Sequence, residues 1–227
     1  MSPKTNNPKR LRIATAVMAL ATLAACAAIA ACGSTTTRYY TLAENSPQAA
    51  AQRSTADTAA LAIELAPVAL PERFARPQLV VRSTSVLPLK EAASQTELEI
   101  LEQSRWSSSF EYELRDALAS GVAARLSAFD ATKAGRPLGL PVYRIAVQLR
   151  QFDAQPGTRV DTAFGWSVRR ADGDVLVTCQ LQLNEAVSGG IDGVAAGAQR
   201  ITGRLADEIA RNVSALAANQ QARCPVA

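Results

Sequence analysis

The alternation of apolar and polar positions predicts a run of three long strands in the second half of the chain. Residues 142–151 alternate strictly, and the stretches 160–170 and 175–187 continue the pattern. Turn signals at Pro156-Gly157 and Asp172-Gly173 separate them, so we predict three consecutive antiparallel strands. Shorter apolar runs in the first half predict strands over residues 61–65, 78–82 and 97–101.

Two further segments have the spacing of amphipathic helices. Apolar residues recur every four positions from Phe110 to Leu126, and every three or four positions from Val194 to Leu216. Ser108 and Glu111 have the spacing of a capping box, which predicts the start of the first helix. The order of elements predicts an α+β fold, with an antiparallel or mixed β-sheet and two amphipathic helices packed on one face.

The first 31 residues have the layout of an export signal. Lys4, Lys9, Arg10 and Arg12 precede an apolar run that extends to Ala31, and no acidic residue occurs among them. A basic start, an apolar middle and small residues at the end are typical of a secretory signal peptide. An uncleaved membrane anchor and a secreted protein without an anchor are the alternatives.

A cysteine follows the small residues at the end of this leader. The sequence Ile29-Ala30-Ala31-Cys32 resembles the lipobox of bacterial lipoproteins, in which the cysteine receives a diacylglycerol. Cleavage there leaves a polar start, whereas cleavage at the competing Cys26 leaves an apolar one. We therefore predict lipidation of Cys32, with Cys26 as the alternative, and no cofactor besides this covalent N-terminal lipid.

These observations divide the chain into four parts. We predict a lipoprotein signal peptide over residues 1–31 and a lipidated tether and linker over residues 32–60. An α+β domain follows over residues 61–218, and residues 219–227 form a C-terminal tail.

The charge balance gives no indication of nucleic-acid binding. The formal net charge is +4, but the four basic residues of the leader account for all of it. The rest of the chain has 20 basic and 20 acidic residues, without a basic cluster.

The sequence contains no histidine, which removes the commonest general base and the commonest transition-metal ligand. We therefore predict that the protein is not an enzyme and has no metal site. A hydrolase that uses carboxylates, such as Asp153 and Asp161, is a minor alternative. Cys179 and Cys224 are an even pair in an exported protein, which predicts a disulfide, with two unbonded thiols as the alternative.

Several motifs resemble one family. Tyr39-Tyr40-Thr41-Leu42 follows the lipobox closely, a proline-bracketed segment runs from Pro71 to Arg82, and Arg105-Trp106 precedes the first helix. Together they resemble the ABC-type transport auxiliary lipoproteins, the group that includes the paraquat-inducible-system lipoprotein, over roughly residues 38–216. Family members often have Leu-Asp where this chain has Phe74-Ala75.

The resemblance implies a non-enzymatic auxiliary component of an MCE/ABC-type intermembrane lipid transport system. Its implied partners are an MCE-domain protein, a permease and an ATPase, and it implies a homo-oligomeric ring. It also implies lipid anchoring at the periplasmic face of the outer membrane, with which Gly33 after Cys32 is compatible. The sequence has no nucleotide-binding loop of its own.

On this basis we predict a partner-binding edge around the proline-bracketed segment, with Tyr39 and Tyr40 packing the tether onto the domain. The residues of this edge are Pro71, Arg73, Phe74, Arg76, Pro77, Arg82 and Trp106. The alternative function is that of an outer-membrane assembly or secretion accessory lipoprotein.

Overall fold

The computed structural model describes residues 36–44, 59–83 and 96–225. The chain divides into two compact units, residues 1–36 and residues 37–227, and nearly all of the first unit lies outside the described ranges. The signal peptide, both lipobox cysteines and residues 45–58 of the predicted linker also lie outside them. The fold described below is that of the second unit.

Eight strands, three α-helices and one 3-10 turn make up the described part of this unit. The strands are β1 (Arg38–Tyr40), β2 (Ala62–Leu65), β3 (Gln78–Arg82), β4 (Leu98–Trp106), β5 (Phe129–Asp130), β6 (Val142–Gln155), β7 (Arg159–Arg170) and β8 (Leu176–Ala186). The helices are α1 (Phe110–Leu126), α2 (Ala131–Ala134) and α3 (Gly190–Ala217), and the 3-10 turn is Glu72–Phe74.

A five-stranded sheet in the order β5-β2-β6-β7-β8 forms the centre of the fold. Its last three strands are the antiparallel meander that the alternation predicted, and β2 adds parallel to β6. The predicted inward positions of β6, including Ile145 and Val147, are buried. A bulge between Leu149 and Gln151 then shifts the alternation, so that Phe152 also faces the core.

Helices α1 and α3 pack on each other and on this sheet, which confirms the α+β class. The central residues of their inward stripes are fully buried and are among those that the helical spacing predicted, whereas Leu126 and Leu216 at the ends of the stripes are partly buried. The fully buried residues include Leu114, Leu118 and Val122 of α1, and Ile201, Leu205 and Ile209 of α3. A Cβ on Gly197 would lie 2.5 Å from a methyl carbon of Val187, so the glycine permits the close approach of α3 to the sheet.

A second sheet of three strands, in the order β1-β4-β3, accompanies the first. Strand β4 runs antiparallel to β3 and parallel to β1, with Tyr40 opposite Trp106. The early strands β2 and β3 therefore belong to different sheets, although they are close in the sequence. Strand β4 is also longer than predicted, since it continues to Trp106.

The start of α1 differs from the predicted capping box. The N-cap is Ser109, and its side chain makes no capping hydrogen bond. Ser107 and Ser108 instead donate their hydroxyl protons to the Glu113 carboxylate. The capping-box prediction was wrong because the helix begins one residue later than predicted: with Ser109 as the N-cap, Tyr112 and not Glu111 occupies the third helical position.

Candidate partner-binding surface and tether site

The proline-bracketed segment is a fixed loop rather than a projecting one. A 3-10 turn closes it, with the Phe74 amide donating to the Pro71 carbonyl at 2.9 Å. The Pro77 carbonyl accepts from the Trp106 amide at 2.7 Å, and the Arg76 carbonyl accepts from the Phe110 amide at 3.3 Å. The loop is thereby attached both to the end of β4 and to the start of α1.

Four aromatic rings join this loop to both sheets. Phe74 packs edge-on against Phe110 and Phe152, with ring centroids 6.4 and 5.7 Å away, and Trp106 stacks on Phe110 at 5.2 Å. All four rings are buried. This aromatic cluster (Phe74, Trp106, Phe110, Phe152) corrects the prediction that Phe74 and Trp106 present their side chains to a partner.

The arginines of the predicted edge have different environments. Arg73 is exposed, with its guanidinium 4.6 Å above the Phe74 ring. Arg76 is half-buried, and its Nε has no hydrogen-bond partner among the described residues. Arg82 donates two hydrogen bonds to the Asp153 carboxylate, at 2.8 and 2.6 Å. Arg73 and Arg76, together with the half-buried prolines Pro71 and Pro77, are the members that still reach the surface.

The tether enters the domain through a second group of contacts. Arg38 forms an ion pair with Asp192 at 2.8 Å, and the Tyr40 hydroxyl donates to the same carboxylate at 2.7 Å. The Tyr40 hydroxyl, and then Arg38, hold the pKa of Asp192 below its usual value. Tyr40 packs against the core as predicted, but Tyr39 is 66 % exposed, since neighbours on a strand point to opposite faces.

After β1 the chain is bound to both long helices. The Leu42 side chain is buried, and its amide donates to Glu113 of α1 at 3.1 Å. Gln199 of α3 donates to the Ala43 carbonyl. A Cβ on Gly203 would lie 2.1 Å from a Glu44 oxygen, so this glycine makes room for the segment. We call residues 38–44 the docking segment.

Arg125 of α1 ties the docking segment to the helix pair. Its guanidinium contacts the carboxylates of Glu44 and Asp207 and donates to the carbonyls of Gly121 and Gly203. The sequence analysis did not single out Arg125, and it missed Glu113 and Asp192 as well. The glycines at 121 and 203, unusual inside helices, were the available signal for a close approach.

The C-terminal tail is attached to β8. Cys179 and Cys224 are joined by a disulfide. Beside it the buried Asn212 accepts a hydrogen bond from the Trp166 indole at 2.8 Å and donates to the Arg223 carbonyl at 3.0 Å. The tail therefore covers the buried Asn212 amide, whose oxygen and nitrogen both have a hydrogen-bond partner.

The carboxylates considered for hydrolysis have structural partners. Asp153 and Asp161 lie opposite each other on β6 and β7. Asp153 is held by Arg82, and Asp161 by Arg159 at 2.6 Å. Within residues 36–44, 59–83 and 96–225, no group of three or more His, Cys, Asp or Glu side chains is placed to hold a metal ion.

None of the helices in the described part of the chain is both long enough and apolar enough to cross a membrane.

A family model described as an ABC-type transport auxiliary lipoprotein component matches residues 40–210, which begin within the docking segment. A comparison with curated proteins found no match.

Two solved structures share the fold. The crystal structure of an uncharacterized protein aligns with a TM-score of 0.58 at 17 % identity, over 78 % of this chain and 99 % of that one. The crystal structure of protein XCC0632 from Xanthomonas campestris aligns with a TM-score of 0.50 at 14 % identity, over 77 % of this chain and 92 % of that one.

Proposed function

This chain belongs to the family of ABC-type transport auxiliary lipoprotein components, and we propose that it serves an MCE/ABC-type intermembrane lipid transport system without being an enzyme. The family match over residues 40–210 is the observation that carries the proposal. In this proposal the ATPase, the permease and the MCE-domain protein supply energy and the lipid path, and this chain is the lipid-anchored accessory, assembled as a homo-oligomeric ring.

The docking segment supports a role at the end of a membrane tether. Only five residues lie between Cys32 and Arg38, so the two are at most about 20 Å apart when the chain is fully extended. Residues 38–44 are then fixed to both long helices by the contacts of Asp192, Glu113 and Arg125. A lipid on Cys32 would therefore hold the folded domain close to the membrane. We place that anchor at the periplasmic face of the outer membrane.

The surface arginines of the proline-bracketed loop are the proposed partner contacts near the tether. Arg73 and Arg76 reach the surface, and the loop that carries them is fixed by backbone hydrogen bonds. A fixed loop loses little conformational freedom on binding, which favours its use as a recognition element.

Co-purification tests the proposed function. The acylated protein is purified from membranes in mild detergent, and the accompanying chains are identified by mass spectrometry. We expect an MCE-domain protein with its permease and ATPase, and a strong reduction in their recovery with Cys32→Ala. We also expect less recovery with Arg73→Ala/Arg76→Ala, whereas Arg211→Ala, which removes an exposed arginine of α3, is the matched control.

The other outcomes of this experiment are equally informative. Recovery of a barrel-assembly or secretion component in place of the transport proteins would favour the alternative function, that of an assembly or secretion accessory lipoprotein. Full recovery with the double arginine variant would remove the loop from the proposed contact and leave the transport function standing.

A further inference from the structure

The Cys179–Cys224 disulfide joins a buried residue to an exposed one. Cys179 is 2 % exposed and lies in β8, opposite Trp166 of β7, whereas Cys224 is an exposed residue of the C-terminal tail. A thiolate opens a disulfide by attacking one sulfur from the side opposite the other, so the attacked sulfur must be accessible. Of the two sulfurs in the folded protein, only that of Cys224 meets this requirement.

Few other contacts hold the tail on the domain. The chain turns back along α3 at Asn219, where the backbone φ is 54°. Beyond this turn, none of residues 221–225 is buried. Apart from the contacts of Cys224, their only hydrogen bond within the described part of the chain is the one that Asn212 donates to the Arg223 carbonyl. One hydrogen bond does not offset the conformational entropy of five residues, so the disulfide is what keeps this segment in place.

The core can accommodate the buried thiol that reduction would produce. The Cys179 sulfur lies 3.6 Å from the side-chain oxygen of Asn212, which also accepts a hydrogen bond from the Trp166 indole at 2.8 Å. A carboxamide oxygen has two lone pairs, so it can accept from the indole and from a thiol at the same time. Reduction therefore leaves no unsatisfied donor at Cys179.

We propose that Cys224 is a site of thiol–disulfide exchange in the folded protein, and that this exchange releases residues 221–225 from the domain. A thiolate of a dithiol protein attacks the Cys224 sulfur and forms a mixed disulfide with it. The electron pair of the broken bond leaves with the Cys179 sulfur, which then takes up a proton from water. The second thiol of the dithiol protein displaces Cys224 as a thiolate, which also takes up a proton. The dithiol is thereby oxidised to a disulfide, and the Cys179–Cys224 pair gains its two electrons.

Release of the tail changes the surface between α3 and β8 and leaves the fold intact. The Asn212 amide nitrogen loses the Arg223 carbonyl and becomes available to water, and the neighbouring Trp166 indole becomes accessible from the same side. The turn at the end of α3 does not depend on the disulfide, because the Gln220 amide donates to the Ala215 carbonyl at 2.8 Å. The oxidised and reduced proteins thus differ at one surface, as expected of a redox-sensitive switch. This chemistry does not depend on the proposed transport function.

The rate of reduction distinguishes direct exchange from opening by unfolding. The full-length acylated protein in mild detergent is treated with dithiothreitol in the absence of denaturant, and the alkylated peptides of Cys179 and Cys224 are quantified by mass spectrometry. We expect the rate to rise in proportion to the dithiothreitol concentration over about a hundredfold range. A rate that levels off at the rate of global unfolding would overturn the proposal.

Phe74→Ala is the control for reduction through a globally unfolded state. This variant removes a ring of the aromatic cluster and leaves both cysteines and the tail unaltered. Direct exchange predicts that its rate of reduction differs from that of the unaltered protein by less than about twofold. Reduction through global unfolding would instead accelerate by about a hundredfold or more, and that result would overturn the proposal.

A monothiol shows which sulfur is attacked. The folded protein is exposed briefly to excess reduced glutathione and quenched with acid, and the modified peptides are identified by mass spectrometry. We expect glutathione on Cys224 at least about tenfold more often than on Cys179, because only Cys224 is exposed. Equal modification of both cysteines, or preferential modification of Cys179, would overturn the proposal.

The two tryptophans report whether the tail is released. After reduction, hydrogen exchange of the Trp166 indole, followed by NMR, should accelerate about tenfold or more, whereas that of Trp106 in the aromatic cluster should be unchanged. Cys224→Ser should show the same pattern without a reductant. Slow Trp166 exchange in both the reduced protein and this variant would show that the tail stays in place without the disulfide, and the proposed release would be rejected.

Discussion

The two sheets of the domain differ in how far along the chain their strands come from. Strands β6, β7 and β8 are consecutive and joined by short turns. The three-stranded sheet instead joins β1, β3 and β4, and its parallel β1–β4 pairing links residues more than sixty positions apart. The first sheet is thus built mainly from local hairpins and the second from distant segments.

This difference shows where the second sheet obtains its stability. Strand β1 has three residues, and pairing alone gives so short a strand little stability. The sheet depends on side chains that reach the larger unit, namely the aromatic cluster, the Arg82–Asp153 ion pair and the contacts of Asp192. We therefore expect it to open at lower free energy than the five-stranded sheet.

Removing a ring of the aromatic cluster should produce the largest difference in stability between the two sheets. Phe74→Ala should lower the free energy of unfolding by about 3–5 kcal/mol, because it leaves a cavity among Phe110 and Phe152. Hydrogen exchange should accelerate first in β1, β3 and β4. Phe164→Ala, in β7, is the control of equal chemistry, and it should affect the five-stranded sheet as well. Uniform acceleration with Phe74→Ala would contradict the distinction between the sheets.

Breaking the disulfide should instead affect the five-stranded sheet, because it joins the C-terminal tail to β8. Cys224→Ser should lower the free energy of unfolding by about 2–4 kcal/mol, because it releases the tail from β8. Amide exchange should accelerate around Asn212 and leave the order of opening in β1 and β4 unchanged. The unaltered protein with a reducing agent should reproduce the variant, and a denaturation midpoint unaffected by reduction would contradict the prediction.

The smallest effect should be a pH dependence confined to β1. The pKa of Asp192 is lowered in the folded state, so its contribution is present above its unfolded pKa of about 3.9 and is lost as pH falls through the folded value. As pH falls from about 4 to about 2, exchange at Tyr39 and Tyr40, corrected for intrinsic rates, should accelerate in the unaltered protein. Asp192→Asn should show fast exchange already at pH 5. Asp172→Asn, at the opposite end, should leave β1 exchange unchanged.

Sequence predicted the parts of the fold that depend on local patterns. The alternation in β6 and the spacing in α3 are repeated over many residues, so single exceptions such as the bulge before Gln151 do not hide them. The pairing of β1 with β4 has no such repetition, because three residues define no period and the partner is far along the chain.

The candidate site was predictable only in part, for similar reasons. The motif at Tyr39 and Tyr40 marked the tether, yet strand alternation alone would have directed the two rings to opposite faces. Phe74 lies between two prolines and has no periodic context. Its burial could not be predicted from the sequence, because it depends on the tertiary packing that brings Phe110 of α1 and Phe152 of β6 together. The contacts of Arg125 likewise require the crossing of α1 and α3.

The docking segment also decides how the domain responds to mechanical tension. A pull on the tether directed along β1 shears its pairing with β4, so the hydrogen bonds share the force instead of opening one after another. If this pairing breaks, the load falls on the contacts of residues 42–44. Leu42 and Glu44 are bound to α1, and Ala43 is bound to α3, so both helices share the load. Tension on the tether is thereby transmitted first to the two long helices.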